Sequence, residues 1–217
     1  MRSARSAGGI SKRGFSIVEM MVVCVVAFVI VSLLADVFIV ALQRTNDGRL
    51  RVDMQQRAIF AVTRWERDID RTAARAMVLK PGQPLCVAMT EERRINDDGT
   101  VLWGEEIVCW AYLSAQRILL RDTYPPKEPA FAGDPSPSAP YLPTFSELDS
   151  LIEETSGAEK IMCQDVEEFN LTNSQGEPGP LDQQPLIFKL KLRRPLSRAN
   201  NFAEFTIERR YTLRNTY

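Results

Sequence analysis

The chain has 217 residues, with 27 Lys+Arg against 28 Asp+Glu, 45% hydrophobic residues, four Cys and no His. That length suits one domain with an appendage, the apolar fraction argues against wholesale disorder, and near-neutral charge argues against a protein that coats nucleic acid. The missing histidine excludes a Ser-His-Asp triad, a Cys-His dyad and a His-ligated zinc, and Cys24, Cys86, Cys109 and Cys163 form no CxxC pair, which removes a zinc ribbon and a thioredoxin motif.

The first 14 residues carry Arg2, Arg5, Lys12 and Arg13 and no acid. From Phe15 to Leu42 the chain is apolar, and only Glu19 and Asp36 are ionisable. A helix over that stretch is about 40 Å long, enough to cross a hydrocarbon core of about 30 Å. A secretory signal peptide is a poorer reading, because the run is too long and lacks a small-x-small cleavage site followed by a polar segment. A plain anchor has no use for Glu19, which costs about 2.5–3.5 kcal/mol on insertion scales. Asp36 lies about 25 Å further along the axis. Two roles are open for it: contact with water at the outer interface, or a second polar contact between packed helices. Cys24 reads as a small apolar residue of the helix. Arg44, Arg49, Arg51 and Arg57 follow the span, so charge counting alone does not orient it.

Lys12-Arg13-Gly14-Phe15-Ser16-Ile17-Val18-Glu19-Met20, followed by an unbroken apolar run, resembles the cleavage and methylation motif of type IV prepilins and type II secretion pseudopilins. The resemblance implies cleavage after Gly14 by a dedicated peptidase on the cytoplasmic side. It further implies N-methylation of the new terminus Phe15, and an assembly role for Glu19. Elementary chemistry agrees. Gly14 offers no side chain to a narrow protease subsite. Glu19 stands four residues from Phe15, about one helical turn, and a carboxylate and an amine buried in lipid relieve each other only by pairing.

Beyond Leu42 the apolar residues Ala58, Ile59, Val62, Trp65, Ile69, Ala73 and Ala76 recur at three- and four-residue spacing. This predicts one helix from about Phe15 to about Leu79, amphipathic over residues 43–80, with Asn46-Asp47-Gly48 a weak point and Pro81-Gly82 the stop. Strands are predicted at Leu85–Met89, Ile107–Leu113, Arg117–Arg121, Val166–Leu171, Leu186–Leu192 and Ala203–Leu213. The turn signal Asn96-Asp97-Asp98-Gly99 joins the first two strands, and its acids lack the ligand spacing of a calcium loop. Residues 124–143 hold seven prolines and read as an exposed stiff loop, either a partner contact or a passive insertion. Residues 173–185 read as a second loop.

Cys86 and Cys109 are centred on the Asn96–Gly99 turn, so a hairpin closed there places them roughly opposite each other. Outside the cytoplasm that pair is a candidate disulfide, with Cys163 an alternative partner for either or free. Lys189, Lys191, Arg193, Arg194, Arg198, Arg209, Arg210 and Arg214 cluster near the C-terminus. They read either as a solvated sheet face or, more weakly, as a DNA-binding surface, since Glu204 and Glu208 dilute them and no aromatic ladder accompanies them.

The expected fold is α+β: a long N-terminal α-helix, transmembrane in its first half, packed on a C-terminal antiparallel β-sheet, the ladle that pilins form. The expected segments are a 1–14 leader, a 15–42 transmembrane and assembly helix, its 43–80 amphipathic continuation, and an 81–217 extracytoplasmic β-rich body. By resemblance the chain is a structural subunit, not an enzyme. Its length, its proline-rich insertion, Trp65-Glu66-Arg67-Asp68-Ile69 and the absence of a C-terminal cysteine pair make it more similar to a W-type minor pilin or a J-type pseudopilin. Such a subunit is expected in the inner membrane and then in a pilus or pseudopilus, near the tip, priming assembly. Its expected partners are other pilins or pseudopilins, the prepilin peptidase/methyltransferase and membrane lipid, with no cofactor or metal. The alternative is a membrane-tethered adhesion or DNA-binding module that borrows the export motif.

Overall fold

A run with no polar side can form a helix that exposes only hydrocarbon. The computed structural model, which describes residues 16–125, 139–154, 160–197 and 200–213, begins with α1 (Ile17–Ile69), whose first part is such a run interrupted only by Glu19, Ser32 and Asp36. Val22, Val25, Phe28, Leu33, Leu34, Val37 and Phe38 are all more than half exposed on it. The chain divides into two compact units at Asn46/Asp47, and α1 contributes to both. Within the second unit α1 becomes one-sided: Met54, Ala58, Ala61, Val62, Trp65, Asp68 and Ile69 are buried. Ile59, predicted to join that stripe, is 56% exposed together with Val52 and Phe60 on the other side of the helix.

The helix ends at Ile69, ten residues short of the predicted Leu79. The Arg71 carbonyl accepts the Glu92 amide at 2.6 Å, and the Thr72 hydroxyl donates to the Thr90 carbonyl at 2.8 Å. A short 3₁₀ turn, Ala74–Ala76, then leads into β1 (Met77–Lys80). Ala73 and Ala76 recur at helical spacing for another reason: both are buried in a small core with Val101 and Trp103. Met77-Val78-Leu79-Lys80 alternates buried and half-buried, and pairing with the next strand wins over helical periodicity.

The remaining elements are β2 (Leu85–Ile95), β3 (Val101–Leu113), β4 (Ile118–Tyr124), α2 (Phe145–Glu154), β5 (Ile161–Gln164), β6 (Val166–Thr172), β7 (Leu186–Pro195) and β8 (Phe202–Tyr211). They build an antiparallel five-stranded sheet in the order β1-β2-β3-β4-β5 and an antiparallel three-stranded sheet in the order β6-β7-β8. The fold is α+β, with the amphipathic part of α1 packed on antiparallel sheets. All six predicted strands are present, and β1 and β5 are additional.

The five-stranded sheet is dry on both faces at its centre. Val87, Met89, Val108, Trp110, Tyr112 and Leu119 face α1 and the three-stranded sheet, in one core with Phe169, Leu171, Phe188, Leu190 and Leu192. Trp65 of α1 is the hub of that core. Its ring lies 5.4 Å from Trp110, 5.8 Å from Phe169 and 5.0 Å from Phe188, so one side chain touches both sheets. The pairs with Trp110 and Phe169 are edge-to-face, an arrangement that adds about 0.5–1.5 kcal/mol per pair beyond the area buried.

On the opposite face Cys86, Ala88, Ile107, Cys109, Ala111, Leu120 and Tyr124 form a second core with Tyr141, Leu148, Leu151 and Ile152. The last three come from α2, which the strand-oriented reading missed. Its start is a capping box: the Thr144 hydroxyl accepts the Glu147 amide at 3.3 Å, and Glu147 Oε2 accepts the Thr144 amide at 2.6 Å. The Tyr141 hydroxyl donates to Glu147 Oε1 at 2.8 Å, and Tyr124 donates to the Leu151 carbonyl at 2.9 Å. Residues 126–138 of the proline-rich loop lie outside the described residues.

Candidate functional site

Gly14 and Phe15, with the rest of the leader, lie outside the described residues. Ser16 caps α1 and Glu19 sits in its first turn. The Ser16 hydroxyl accepts the Val18 amide at 3.3 Å, and Glu19 Oε2 accepts the Ser16 amide at 2.9 Å. Ser16-Ile17-Val18-Glu19 is therefore also a capping box, a local role for Glu19 that the motif-based reading did not weigh and that its Ser-x-x-Glu spacing encodes. Two orphan amides of the helix start are satisfied this way, which matters most where no water is available.

Further along, the Ser32 hydroxyl donates to the Phe28 carbonyl at 2.9 Å, and Thr45 donates to Ala41 at 2.9 Å. Both hydroxyls are thus compatible with an apolar solvent. Asp36 and Cys24 are exposed on the helix. Among the described residues, α1 is the one helix long and apolar enough to cross a membrane.

The two sequence-predicted cysteines do come together, by a route the turn alone did not reveal. The hairpin turn is where it was expected: the Asn96 amide donates to the Thr100 carbonyl at 2.9 Å, and Gly99 takes φ +82°, which a side chain would oppose. The Thr100 amide donates to Asp98 Oδ1 at 2.9 Å and holds that carboxyl below its ordinary range, so the acid serves the turn. Between the pairs Glu92↔Trp103 and Thr90↔Ile107, however, β3 spends four residue steps where β2 spends two. Gly104 lies in this bulge, where an added Cβ would stand 3.4 Å from the Glu91 carbonyl oxygen. Nearer the turn, between Arg94↔Leu102 and Glu92↔Trp103, β2 spends two steps where β3 spends one, and the two irregularities together set Cys86 opposite Ala111 and Cys109 opposite Ala88. In the resulting ladder Cys109 stands two residues from Ala111, the partner of Cys86, so both thiols lie on one face, as diagonal neighbours 2.9 Å apart. Cys163 is buried in the other core, and its thiol is pushed up to about 12 by burial.

The basic face of β7 is laced with acids. Lys189 reaches Glu168 at 2.8 Å, Lys191 reaches Glu167 at 2.7 Å, Arg193 bridges Glu167 at 2.8 Å and Glu204 at 3.3 Å, and Arg194 meets Asp53 at 3.4 Å. Arg209 pairs with Glu66 of α1 at 3.6 Å. The Glu167 carboxyl is held below its usual value of 4.5 chiefly by hydrogen bonds from Lys191 and Arg193. A carboxyl depressed in the folded state stabilises the fold above its unfolded pKa, and loses that contribution as pH falls through its folded value. Wild type and Glu167→Gln should therefore differ in thermal unfolding at pH 7, with the gap beginning to close as pH falls below that usual value and vanishing below the depressed folded value. The gap should also shrink in high salt. A gap that persists in acid would show that Glu167 acts by packing instead.

One polar node was not anticipated. Asp68 is 1% exposed at the inner face of α1. Its Oδ2 accepts from Arg121 Nε at 2.6 Å and from Trp110 Nε1 at 2.9 Å, and its Oδ1 accepts from Arg121 Nη2 at 3.0 Å. Arg64, one turn earlier on α1, approaches Oδ1 at 3.8 Å. The signal was an acid within the apolar stripe of α1, next to Ile69. Beside this node an open groove of about 400 Å³ is lined by Arg64, Glu91, Arg93, Glu105, Glu106 and Arg121. Arg93 pairs with Glu105 there at 3.2 Å, and Glu91 with Arg71 at 3.8 Å. Among the described residues, no group of three or more His, Cys, Asp or Glu is arranged to hold a metal. Set beside family models, curated proteins and solved structures, the chain matches none.

Proposed function

We propose that this chain is a prepilin-like structural subunit, a minor pilin or pseudopilin. It is cut after Gly14, N-methylated on Phe15 and assembled through Glu19 into a hetero-oligomeric filament, near whose tip it primes assembly. The observation that carries this reading is the coincidence of three features. They are the Lys12-Arg13-Gly14-Phe15 motif, a carboxylate in the first turn of α1, and an α1 surface from Ile17 to Leu42 that is exposed and apolar apart from Glu19, Ser32 and Asp36. Before assembly the lipid bilayer covers that surface. After assembly the same surface of sister subunits replaces the lipid, and helix contacts of that kind rest on close packing and on the few polar groups between them.

In the filament Glu19 Oε1 accepts the methylated amine of Phe15 from a neighbouring subunit while Oε2 keeps the Ser16 amide. One carboxylate thereby closes its own helix and sets the axial register of the next. The body is left to face outwards from the membrane, with the leader on the cytoplasmic side. The competing reading, a tethered DNA-binding module, draws on the basic face of β7. The carboxylates of Glu167, Glu168 and Glu204 lie within that face and weaken its pull on phosphates.

Intact-mass and N-terminal analysis of the chain extracted from membranes tests the proposal. The mature protein should begin at N-methylated Phe15, and Gly14→Val should leave the full leader in place. A chain that retains residues 1–14, or one released as a soluble body, would overturn it.

A further inference from the structure

Cys86 and Cys109 occupy one diagonal of a square whose other corners are Ala88 and Ala111, each alanine directly across the ladder from one of the cysteines. Two methyl groups on the other diagonal leave room for the sulfurs to lean together, and they do so at 2.9 Å. Both side chains are sealed, at 0% and 4% exposure, in the core that α2 closes. Cys163 is on the opposite face of the same sheet, in the core around Trp65, and is removed as a partner for either. No third ligand accompanies the pair among the described residues, and the chain has no histidine.

We propose that Cys86 and Cys109 are a modification site: they are oxidised to a cystine by a disulfide donor before α2 closes over them. In the unsealed hairpin one cysteine thiolate attacks a sulfur of the donor, a protein or small-molecule disulfide of the extracytoplasmic space, and expels the donor's first thiolate. The second cysteine then attacks the mixed disulfide at the Cys sulfur and expels the donor's other thiolate. Two electrons pass to the donor, whose disulfide becomes two thiols, and the protons of the two cysteines go to those leaving groups. The order follows from access. Once the core is formed, the mutual hydrogen bond and burial push the Cys109 thiol well up, and no donor reaches either sulfur. The closed cystine pins β2 to β3 on the far side of the bulge from the turn. There it locks the slipped register against the unslipped one, and it restricts the unfolded chain.

Only the compartment rests on the proposed function; the geometry does not. The full chain, denatured and reduced, is refolded in detergent micelles with oxidised glutathione, and its remaining thiols are alkylated in denaturant. Peptide mapping should return one crosslink, Cys86–Cys109, with Cys24 and Cys163 alkylated, and the same crosslink in Cys163→Ala. Chain folded in the reduced state and only then given oxidised glutathione should form it at least about tenfold more slowly. No Cys86–Cys109 crosslink on refolding, a crosslink to Cys163, or equal rates from the folded and unfolded states would each overturn the proposal. The chain alkylated directly from cells forms the second arm. A crosslink there places the body outside the cytoplasm. Free thiols in cells together with a crosslink on refolding would uphold the site and overturn the extracytoplasmic placement.

Discussion

Asp68→Ala should cost about 3–5 kcal/mol of folding stability, a large share of the roughly 5–15 kcal/mol that a domain has. The carboxylate is not valuable as an isolated charge pair. It is expensive to remove because its partners cannot follow it into water. Arg121 would keep its guanidinium in a site where its side chain is only 11% exposed, and Trp110 would keep an indole N–H with its acceptor gone. Both are anchored in β3 and β4 by their backbones, while Asp68 comes from α1, so no small shift re-pairs them. The same argument predicts rescue. Asp68→Leu combined with Arg121→Met removes both charges and should recover most of the loss, since apolar residues of similar volume commonly replace buried ion pairs without penalty. Urea unfolding of the full chain in micelles, followed by tryptophan fluorescence, reads both effects. If Asp68→Ala lowers stability by less than about 1 kcal/mol, the node is a surface-like pair and its burial has no energetic weight.

Glu19→Val should leave membrane insertion and the folded body intact and remove the chain from filaments. An uncompensated amine in an apolar interface costs about 3–5 kcal/mol, which is two orders of magnitude or more in the assembly equilibrium. Because Glu19 also closes the capping box with Ser16, a loss in Glu19→Val alone has two explanations. Glu19→Gln separates them. Glutamine serves a capping box as well as glutamate does, but it carries no charge for the amine of a neighbour. If Glu19→Gln assembles normally, capping is the whole role of the residue and the proposed pairing is wrong. If it fails as badly as Glu19→Val while α1 keeps its helicity by circular dichroism, the charge is what assembly uses. Filament-associated and membrane-associated chain, separated by shearing and quantified by mass spectrometry, supply the readout.

The class of the fold was legible because it depends on periodicity over long stretches. Twenty-eight residues with two ionisable groups can only be a helix in an apolar setting, and alternation at Leu186–Leu192 can only be a half-buried strand. The hairpin turn at Asn96–Gly99 was legible because φ at Gly99 is a local demand. Three things were not. The end of α1 was masked by Ala73 and Ala76, whose spacing is helical but which are buried with Val101 and Trp103. The helix α2 was hidden beside a proline-rich loop, although Thr144-x-x-Glu147 and the spacing of Leu148, Leu151 and Ile152 encode it. The ion pairs along β7 depend on Glu167 and Glu168, which a bulge between Val166 and Glu168 brings alongside the lysines and arginines.

What the sequence determined by itself was therefore everything set by neighbours along the chain: the apolar span, the Gly14-Phe15-Glu19 spacing, the strands and their dry faces. What only tertiary structure decided was which residues meet across the chain: that two register irregularities between Arg94 and Thr90 put Cys86 diagonal to Cys109, and that Asp68 is neutralised by Arg121 from a strand more than fifty residues away. The reason is that local propensity acts within a turn or two of backbone, whereas register and buried charge pairing minimise a free energy shared by elements that sequence order does not bring together.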